Sequence, residues 1–355
     1  HRDLHSFPTR RSSDLVGSNE GIYLSRLNLE TGQLSAPELA AATERPAFLA
    51  TGPEDRVLYA TGGKSSTVAA FTIGPEAGTL SLINRQVVSE MSLCHITTAL
   101  DGSVLLGADY GHAKAVSFPL QPDGRICAPA TVLTYDQASN VDPQRQNKPH
   151  LHSINADSSE KFALVCDFSG DAIRICALDP LTKVLTAAGS TPSAPGAGPR
   201  HLVCHPAGKW VYVINELGGT VSLFDFSDGA LTHRQTVATL PADFSGKNTT
   251  AEVAFSPDLR FLYGTNRGHD SLACFRVNPE NGELTREAIV STGGEHPRYF
   301  TIDSSGRFML VSNRDTNNVV VFKLNPETGV AQPTGHQIKL EKPMGIKIIA
   351  TKRQK

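Results

Sequence analysis

A group of histidines with short spacings could carry acid–base or metal chemistry. His150 and His152 are two residues apart, and on a strand this spacing puts both imidazoles on one face. Such a pair could bind a metal ion, supply a general base near neutral pH, or be a hydrogen-bonded structural feature. A metal would need a third ligand from His95, His201 or Glu252, and no spacing among these residues is diagnostic. We therefore predict no metal site.

Arginines occur in comparable sequence contexts. Arg200 follows the turn at residues 196–199 (GAGP) and opens an apolar strand-like run, and Arg267 and Arg298 flank similar runs. A guanidinium can bind a carboxylate or phosphate through two parallel hydrogen bonds. The alternative is ion pairing between neighbouring units, with Glu216 as a partner. The arginines favour a small anionic ligand.

These residues belong to a repeat. Seven units of roughly 46 residues contain three apolar, alternating segments and one more polar segment. In one unit the segments are RHLVCHPAGK, WVYVIN, TVSLFDF and ALTHRQTVAT. This period is typical of a propeller, whereas helical solenoids show a 3.6-residue pattern. The sequence predicts an all-β, seven-bladed propeller with four-stranded antiparallel blades, in one domain over residues 16–355.

Both ends of the chain are expected to complete blade 1. The C-terminal PMGIKIIAT resembles the first strand of the other units, so we expect it to close the ring beside GIYLSRLNL. Residues 1–15 (HRDLHSFPTRRSSDL) do not share the repeat and resemble a translated sequencing adapter. We predict that they form a non-native or disordered tail and that blade 1 lacks its second strand.

Strand topology selects the candidate site. The first two strands of a blade are antiparallel neighbours, so the start of the first and the end of the second share a rim. Residues at these places in all blades converge on one mouth of the central channel. They include His150, His152, Arg200, His201, Asn215, Glu216, Asn266, Arg267 and Arg298. Two polar insertions, residues 136–148 and 241–250, are expected above the same mouth, although solvent contact alone would explain either of them.

Composition excludes several classes of protein. There are 33 Lys+Arg and 35 Asp+Glu, which excludes a basic nucleic-acid binder, and no apolar run approaches the ~18 residues of a membrane helix. Six cysteines without a CxxC pair favour a reducing compartment, and we predict a cytoplasmic protein. No GxSxG, Walker or Rossmann pattern occurs, so we expect no cofactor.

Several segments resemble the lactonase family of seven-bladed propellers. They are QRQNKPHLHS, GAGPRHLVCHPAGKWVYVINEL, KNTTAEVAFSPDLRFLYGTNRGHDSLACF and HPRYFTIDSSGRFMLVSNRDTNNVVVF. The resemblance extends from about residue 21 to residue 349. It implies a metal-independent lactone site at one mouth of the ring. The His, two Arg and Glu of the family's cyclase branch fall on His152, Arg200, Arg267 and Glu216.

The expected function follows from this resemblance. It is the opening of 6-phospho-D-glucono-1,5-lactone in the pentose phosphate pathway, with His152 as the base and Arg200 or Arg267 stabilising the oxyanion. Arg298 would bind the phosphate, and Glu216 would orient the histidine or protonate the ring oxygen. The remaining predicted substrate contacts are His150, His201, Asn215 and Asn266.

Two alternatives stay open. One is an enzyme that forms or opens the lactone of another anion, such as a carboxymuconate. The other is a non-catalytic propeller that binds a protein, which would present an apolar rim, whereas the only tryptophan, Trp210, starts a strand on the opposite side. The expected partner is a small anionic lactone, with no nucleic acid and no membrane. The oligomeric state is not predicted.

Overall fold

The computed structural model describes residues 11–62, 66–74 and 79–350. Within these ranges the strands form seven four-stranded antiparallel sheets, which are the seven blades of a propeller. Their order in each sheet follows the chain except in blade 1, where the last strand of the protein joins three N-terminal strands. The predicted fold class is confirmed.

The blades have the following strands. Blade 1 consists of β1 (Arg11–Gly17), β2 (Gly21–Asn28), β3 (Glu38–Ala42) and β28 (Ile346–Ala350). Blade 2 consists of β4 (Pro46–Thr51), β5 (Val57–Gly62), β6 (Thr67–Ile73) and β7 (Leu80–Val87), with a short 3-10 turn at Pro53–Asp55. Blade 3 consists of β8 (Leu93–Ala99), β9 (Val104–Asp109), β10 (Lys114–Pro119) and β11 (Thr131–Thr134).

The other four blades follow in the same way. Blade 4 consists of β12 (Leu151–Ala156), β13 (Phe162–Asp167), β14 (Ala172–Leu178) and β15 (Leu185–Pro192). Blade 5 consists of β16 (Pro199–Cys204), β17 (Trp210–Asn215), β18 (Thr220–Ser227) and β19 (Ala230–Ala238). Blade 6 consists of β20 (Thr249–Phe255), β21 (Phe261–Arg267), β22 (Ser271–Val277) and β23 (Leu284–Ser291). Blade 7 consists of β24 (Pro297–Ile302), β25 (Phe308–Asn313), β26 (Asn318–Leu324) and β27 (Ala331–Lys339).

Apolar packing between blades holds the ring together. Along β17, Val211 and Val213 pack against blade 4, whereas Tyr212 and Ile214 pack against blade 6. Alternate side chains of a strand point to opposite faces, so a strand buried on both faces is a continuous apolar run. This explains the second segment of each repeat. The innermost strands contact one another in cyclic order, with β28 between β24 and β4, and the ring closes around a central channel.

Blade 1 corrects one prediction. Residues 1–10 lie outside the described residues, but residues 11–15 are part of β1, which pairs with β2 on one side and β28 on the other. The second strand of this blade is therefore present, and the expectation that it is missing was wrong. Leu15 and Val16 are buried, Leu15 against blade 2 and Val16 against blade 7. The backbone N–H and C=O groups of β2 and β28 need hydrogen-bonding partners, and an extended segment between the two strands supplies them.

Asp14 does not suit its place in this strand. Its side chain is fully buried, and neither carboxyl oxygen has a hydrogen-bond partner. Burial and the nearby Asp303 raise the pKa of Asp14 well above its ordinary value. By register the same position in the other blades is always apolar and buried: Leu58, Leu105, Ala163, Val211, Leu262 and Met309. Asp14 is thus a local conflict between sequence and fold.

We predict that Asp14→Leu stabilises the protein at pH 7. An unpartnered buried polar group costs about 1–3 kcal/mol, and more when it is charged. Because the pKa of Asp14 is raised in the folded state, its penalty is absent below the pKa of the unfolded chain, near 3.8, and grows as pH rises. Thermal unfolding should therefore show a gain for Asp14→Leu at pH 7 that shrinks at pH 4. Asp14→Asn, which removes only the charge, should give an intermediate gain. Equal stability of all three proteins at pH 7 would contradict this account.

Candidate active site

The innermost strands of blades 2–7 share an irregularity near their start. There, the register between the first and second strands shifts by one residue, so that one residue of the first strand is extra. Such a β-bulge turns a side chain away from its regular direction. The residues at the shifts are Ala47 and Phe48, Cys94, His152, Arg200, Ala251 and Glu252, and Arg298. His152, Arg200 and Arg298 therefore occupy equivalent bulges of three blades.

The centre of the mouth is the carboxylate of Glu216, which follows β17. Its Oε2 accepts from Arg200 Nε at 2.9 Å and lies 2.8 Å from Arg267 Nη2, and its Oε1 accepts from Arg145 Nη2 at 2.6 Å. Burial alone would raise the pKa of Glu216, but the three guanidiniums outweigh it and lower the pKa to about 2. Glu216 is therefore a permanent anion that gathers the arginines.

Arg200 is held on several sides. Besides its Nε bond to Glu216, its Nη1 donates to the carbonyl of Ala251 at 2.8 Å and to His201 Nε2 at 3.1 Å. Within the described residues, Nη2 has no recorded partner. The side chain is only 2 % exposed, so its orientation is fixed by these contacts. The turn before it depends on Gly198, which has φ 60° and where a Cβ would lie 2.9 Å from Leu217.

His152 has the environment of a neutral base. It is buried, its Nδ1 has no hydrogen-bond partner, and its ring lies 5.1 Å from that of His201 and 5.5 Å from that of Tyr110. Burial and the positive charge of Arg200 lower the pKa of His152 well below its ordinary value, so its imidazole is uncharged at neutral pH. An uncharged imidazole can accept a proton from water.

Arg298 is the most available cation. None of the hydrogen bonds or ion pairs among the described residues involves its side chain, although neighbouring arginines already bind Glu216. Burial and repulsion from Arg267 lower the pKa of Arg298 to about 10, which leaves it charged at neutral pH. A half-buried guanidinium without a carboxylate partner favours an anion from solution.

The insertion at residues 136–148 contributes a residue that was not predicted. Its Arg145 hydrogen-bonds Glu216 and lies over the ring of Phe168, with the guanidinium carbon Cζ 5.2 Å from the ring centre. The neighbouring Gln146 is fully buried and donates to Asp171 Oδ1 at 2.8 Å, and so anchors the loop. The sequence placed this loop above the mouth but did not single out its arginine. The only available signal was a cation in a polar insertion.

Tyr110 was also missed. Its ring stacks on that of His150 at 4.1 Å, and its backbone carbonyl lies 2.6 Å from His150 Nδ1. Tyr110 follows β9, whose end lies at the same rim as the start of β12, where His150 and His152 are found. His150 therefore helps to form the wall beside His152, and its Nδ1 is already engaged by the protein.

The four residues implied by the family resemblance, His152, Arg200, Glu216 and Arg267, come together in one cluster. Others differ from expectation. Asn215 and Asn266 use both amide protons within the protein, on Thr220 and Ser222 and on Thr239 and Ser271 respectively. Their buried amides support blades and have no free donor for a substrate. The end of a second strand marks the rim but does not say which way each side chain turns.

His201 and Glu216 also have different contacts from those expected. Both ring nitrogens of His201 face protein groups, because Nε2 meets Arg200 and Nδ1 lies 3.1 Å from Glu252 Oε2. Glu216 forms ion pairs with arginines and has no recorded contact with His152. Its low pKa also makes it a poor proton donor at neutral pH.

The described residues lack two further features. No group of three or more His, Cys, Asp or Glu side chains there could hold a metal ion. In the same part of the chain, no helix has the length and apolar character needed to cross a membrane.

The fold and site define a propeller whose channel mouth carries a neutral imidazole and four guanidiniums. Residues 8–348 match the family described as "Lactonase, 7-bladed beta-propeller", and the chain belongs to this family. The family and the relatives below make it a lactone-hydrolysing enzyme, a carboxylic ester hydrolase by class.

Named relatives extend over most of the chain. The 6-phosphogluconolactonase of Bacillus subtilis (strain 168) is 34% identical over 298 residues, which cover 83% of this chain and 84% of the relative. The 6-phosphogluconolactonase of Formosa agariphila is 33% identical over 309 residues, with coverage of 82% and 84%.

Two solved structures are also similar over nearly the whole chain. A putative 6-phosphogluconolactonase from Bacteroides fragilis has 32% identity, a TM-score of 0.89 and coverage of 98% of this chain and 100% of that one. A periplasmic gluconolactonase from Pseudomonas aeruginosa has 28% identity, a TM-score of 0.91 and coverage of 96% and 100%.

We predict that Glu216→Gln destabilises the protein by about 3–5 kcal/mol, because it leaves buried guanidiniums without their counter-charge. Added inorganic phosphate should raise the melting temperature of this variant by more than it raises that of the parent. The matched control is Glu287→Gln, which removes a carboxylate 2.6 Å from Arg276 Nε in a partly exposed pair and should cost less than about 1 kcal/mol. Similar losses for the two variants would show that Glu216 does not organise the mouth.

Proposed function

We propose that this protein hydrolyses 6-phospho-D-glucono-1,5-lactone to 6-phosphogluconate. The observation that carries the proposal is the charge of the mouth. The guanidiniums of Arg145, Arg200 and Arg267 share the carboxylate of Glu216, and Arg298 makes no ion pair among the described residues, so positive charge is in excess there. A dianionic phosphate offsets this excess, whereas an unphosphorylated sugar lactone does not.

In the proposed mechanism His152 is the general base. It takes a proton from a water molecule, whose oxygen attacks the lactone carbonyl carbon. Arg200 offers its Nη2 to the negative charge that develops on the carbonyl oxygen. The ring C–O bond then breaks, and the imidazolium of His152 returns the proton to the departing ring oxygen. The products are a hydroxyl group and a carboxylic acid, which ionises in water.

Glu216 has an electrostatic role in this mechanism. Its pKa of about 2 argues against the earlier idea that it protonates the ring oxygen. It holds Arg145, Arg200 and Arg267 around the opening. Because one carboxylate neutralises only one of three cations, the cluster keeps a net positive charge. Arg298, at the equivalent bulge of blade 7, is proposed to bind the phosphate.

We further propose that the protein works in the cytoplasm. All six cysteines are free thiols. Burial raises the pKa of Cys94 and of Cys166 to about 12, so both are unreactive. Free, buried thiols suit a reducing compartment. The Pseudomonas aeruginosa structure is described as periplasmic, so fractionation of cells that express this chain is the relevant measurement.

The activity is tested by following 6-phosphogluconate with a coupled dehydrogenase, after subtraction of spontaneous hydrolysis. The parent protein should accelerate the reaction and should prefer the phosphorylated lactone to glucono-1,5-lactone. His152→Ala should lower kcat by about 10²–10⁴-fold. Arg298→Gln should raise KM for the phosphorylated lactone and leave the reaction with the plain lactone nearly unchanged.

His233→Ala is the control, because this exposed histidine lies on the outer strand β19 and hydrogen-bonds only Thr236. It should behave like the parent. A rate no greater than that of buffer would refute the proposed function. Faster hydrolysis of a carboxymuconate lactone than of the phosphorylated sugar lactone would point to the alternative anion.

A further inference from the structure

A buried row of polar side chains connects the mouth to the central channel. Arg200, His201 and Glu252 are 2 %, 4 % and 7 % exposed. His201 lies between the other two, with Nε2 3.1 Å from Arg200 Nη1 and Nδ1 3.1 Å from Glu252 Oε2. Beyond it is a channel cavity of about 260 Å³, lined in part by Glu252, Tyr299 and Lys347.

The chemistry of the three groups fixes the direction of each hydrogen bond. A guanidinium only donates, so His201 Nε2 must accept from Arg200. Nδ1 of the neutral ring therefore carries the proton and donates it to Glu252 Oε2. The other oxygen of Glu252, Oε1, accepts from the backbone N–H of Val253 at 3.1 Å. Both carboxylate oxygens thus act as acceptors, and a proton on either competes with one of these bonds.

We infer that Glu252 is a positioning residue for Arg200 and acts through His201. The inference rests on the proposed lactonase function of the mouth. Glu252 fixes the ring and tautomer of His201, and His201 then holds one edge of the guanidinium while Glu216 holds the other. Arg200 is left with Nη2 as its remaining donor for the substrate. Glu252 itself lies on the channel side of His201 and is not proposed to touch the lactone.

The groups around Glu252 bring its ionisation close to neutral pH. Burial raises the pKa of Glu252 to about 7, although Arg200, Lys347 and Arg298 oppose this rise. Uncharged neighbours complete its surroundings: Tyr299 from β24, His201 from β16 and His95 from β8, whose ring is 5.2 Å from that of His201. Because the ionised form is the one that orders His201, kcat should rise as pH increases through about 7.

This pH dependence separates Glu252 from the base. The pKa of His152 is lowered well below its ordinary value, mainly by burial, so His152 is already neutral over this range. An ionisation near pH 7 in the kcat profile is then not that of His152. If it is that of Glu252, it should disappear when Glu252 cannot ionise.

The first experiment compares the parent with Glu252→Gln, which keeps the shape of the side chain. The variant should lose about 10-fold or more in kcat, with KM changed less than 3-fold, and its kcat should not vary between pH 6 and 8. The matched control is Glu287→Gln, which should retain the parent profile. An unchanged ionisation near pH 7 in Glu252→Gln would overturn the inference.

A double-mutant cycle tests whether the effect passes through Arg200. Glu252→Gln should cost little in an Arg200→Ala background, because the group that it positions is gone. An equal loss in both backgrounds would show that Glu252 acts by another route. If the parent itself does not hydrolyse the lactones, the proposed function fails instead, and a measurement independent of activity then decides.

That measurement is the ¹⁵N spectrum of the histidine rings, with His201 assigned from the His201→Gln variant. In the parent at pH 8, His201 should be the neutral tautomer with its proton on Nδ1. Its signals should shift with a midpoint near pH 7, and this shift should be absent in Glu252→Gln. A proton on Nε2 at pH 8, or the same titration in both proteins, would overturn the inference.

Discussion

The mouth of this propeller depends on one carboxylate shared by three guanidiniums. Arg145, Arg200 and Arg267 come from a loop, from β16 and from β21, and each would repel the others without Glu216. Burial strengthens both the attraction and the repulsion because water no longer screens them. The cluster therefore holds more positive charge than its own anion can neutralise. Under the proposed function, an anionic substrate would complete the charge balance, and its binding would depend on the same interaction as the architecture of the mouth.

The ring explains how residues far apart in sequence form such a cluster. The seven blades present equivalent positions to one axis, and six innermost strands have a bulge near their start, which changes the direction of a side chain there. In a regular strand the side chains would alternate between the two faces of the blade, which pack against the neighbouring blades. The identity of the bulge residue then decides what each blade presents there. His152, Arg200 and Arg298 are the ones proposed to take part in the chemistry, whereas Cys94 donates to the backbone carbonyl of His152.

The sequence alone predicted the architecture because the determinants of the fold repeat. Period-two apolar segments and recurring turns gave seven blades, and antiparallel pairing placed His152, Glu216 and Arg267 at one rim. The sequence did not predict features that depend on the contacts of a single side chain. Asn215 and Asn266 have the correct place on the rim, yet their amides donate to protein acceptors. Those of Asn215 lie in its own blade, whereas one of those of Asn266 is the carbonyl of Thr239, which follows β19 of the neighbouring blade. The bulges, the reach of Arg145 and the stacking of Tyr110 also depend on three-dimensional contacts that no local pattern encodes.

The N-terminal segment shows the opposite kind of error. Its composition is foreign to the repeat, but residues 11–17 still form a strand, because a gap between β28 and β2 offers backbone partners to any extended segment. Backbone pairing tolerates Asp14, and the cost appears only in the side chain, which is buried without a partner. Whether a segment forms a strand and whether its side chains fit their surroundings are thus separate questions. An unusual composition is evidence only on the fit of the side chains.

Two buried glutamates show how environment assigns different roles to one side chain. The pKa of Glu216 is lowered to about 2, whereas that of Glu252 is raised to about 7, although both are near Arg200. Glu216 contacts three guanidiniums directly, so their attraction exceeds the cost of burial. Glu252 contacts a neutral imidazole and one backbone amide, and the cations that favour its ionised form, Arg200, Lys347 and Arg298, make no direct ion pair with it. A permanent anion can fix the charge of a site, while a carboxylate that titrates near neutrality can couple the geometry of that site to pH. This propeller has both, on opposite sides of a single arginine.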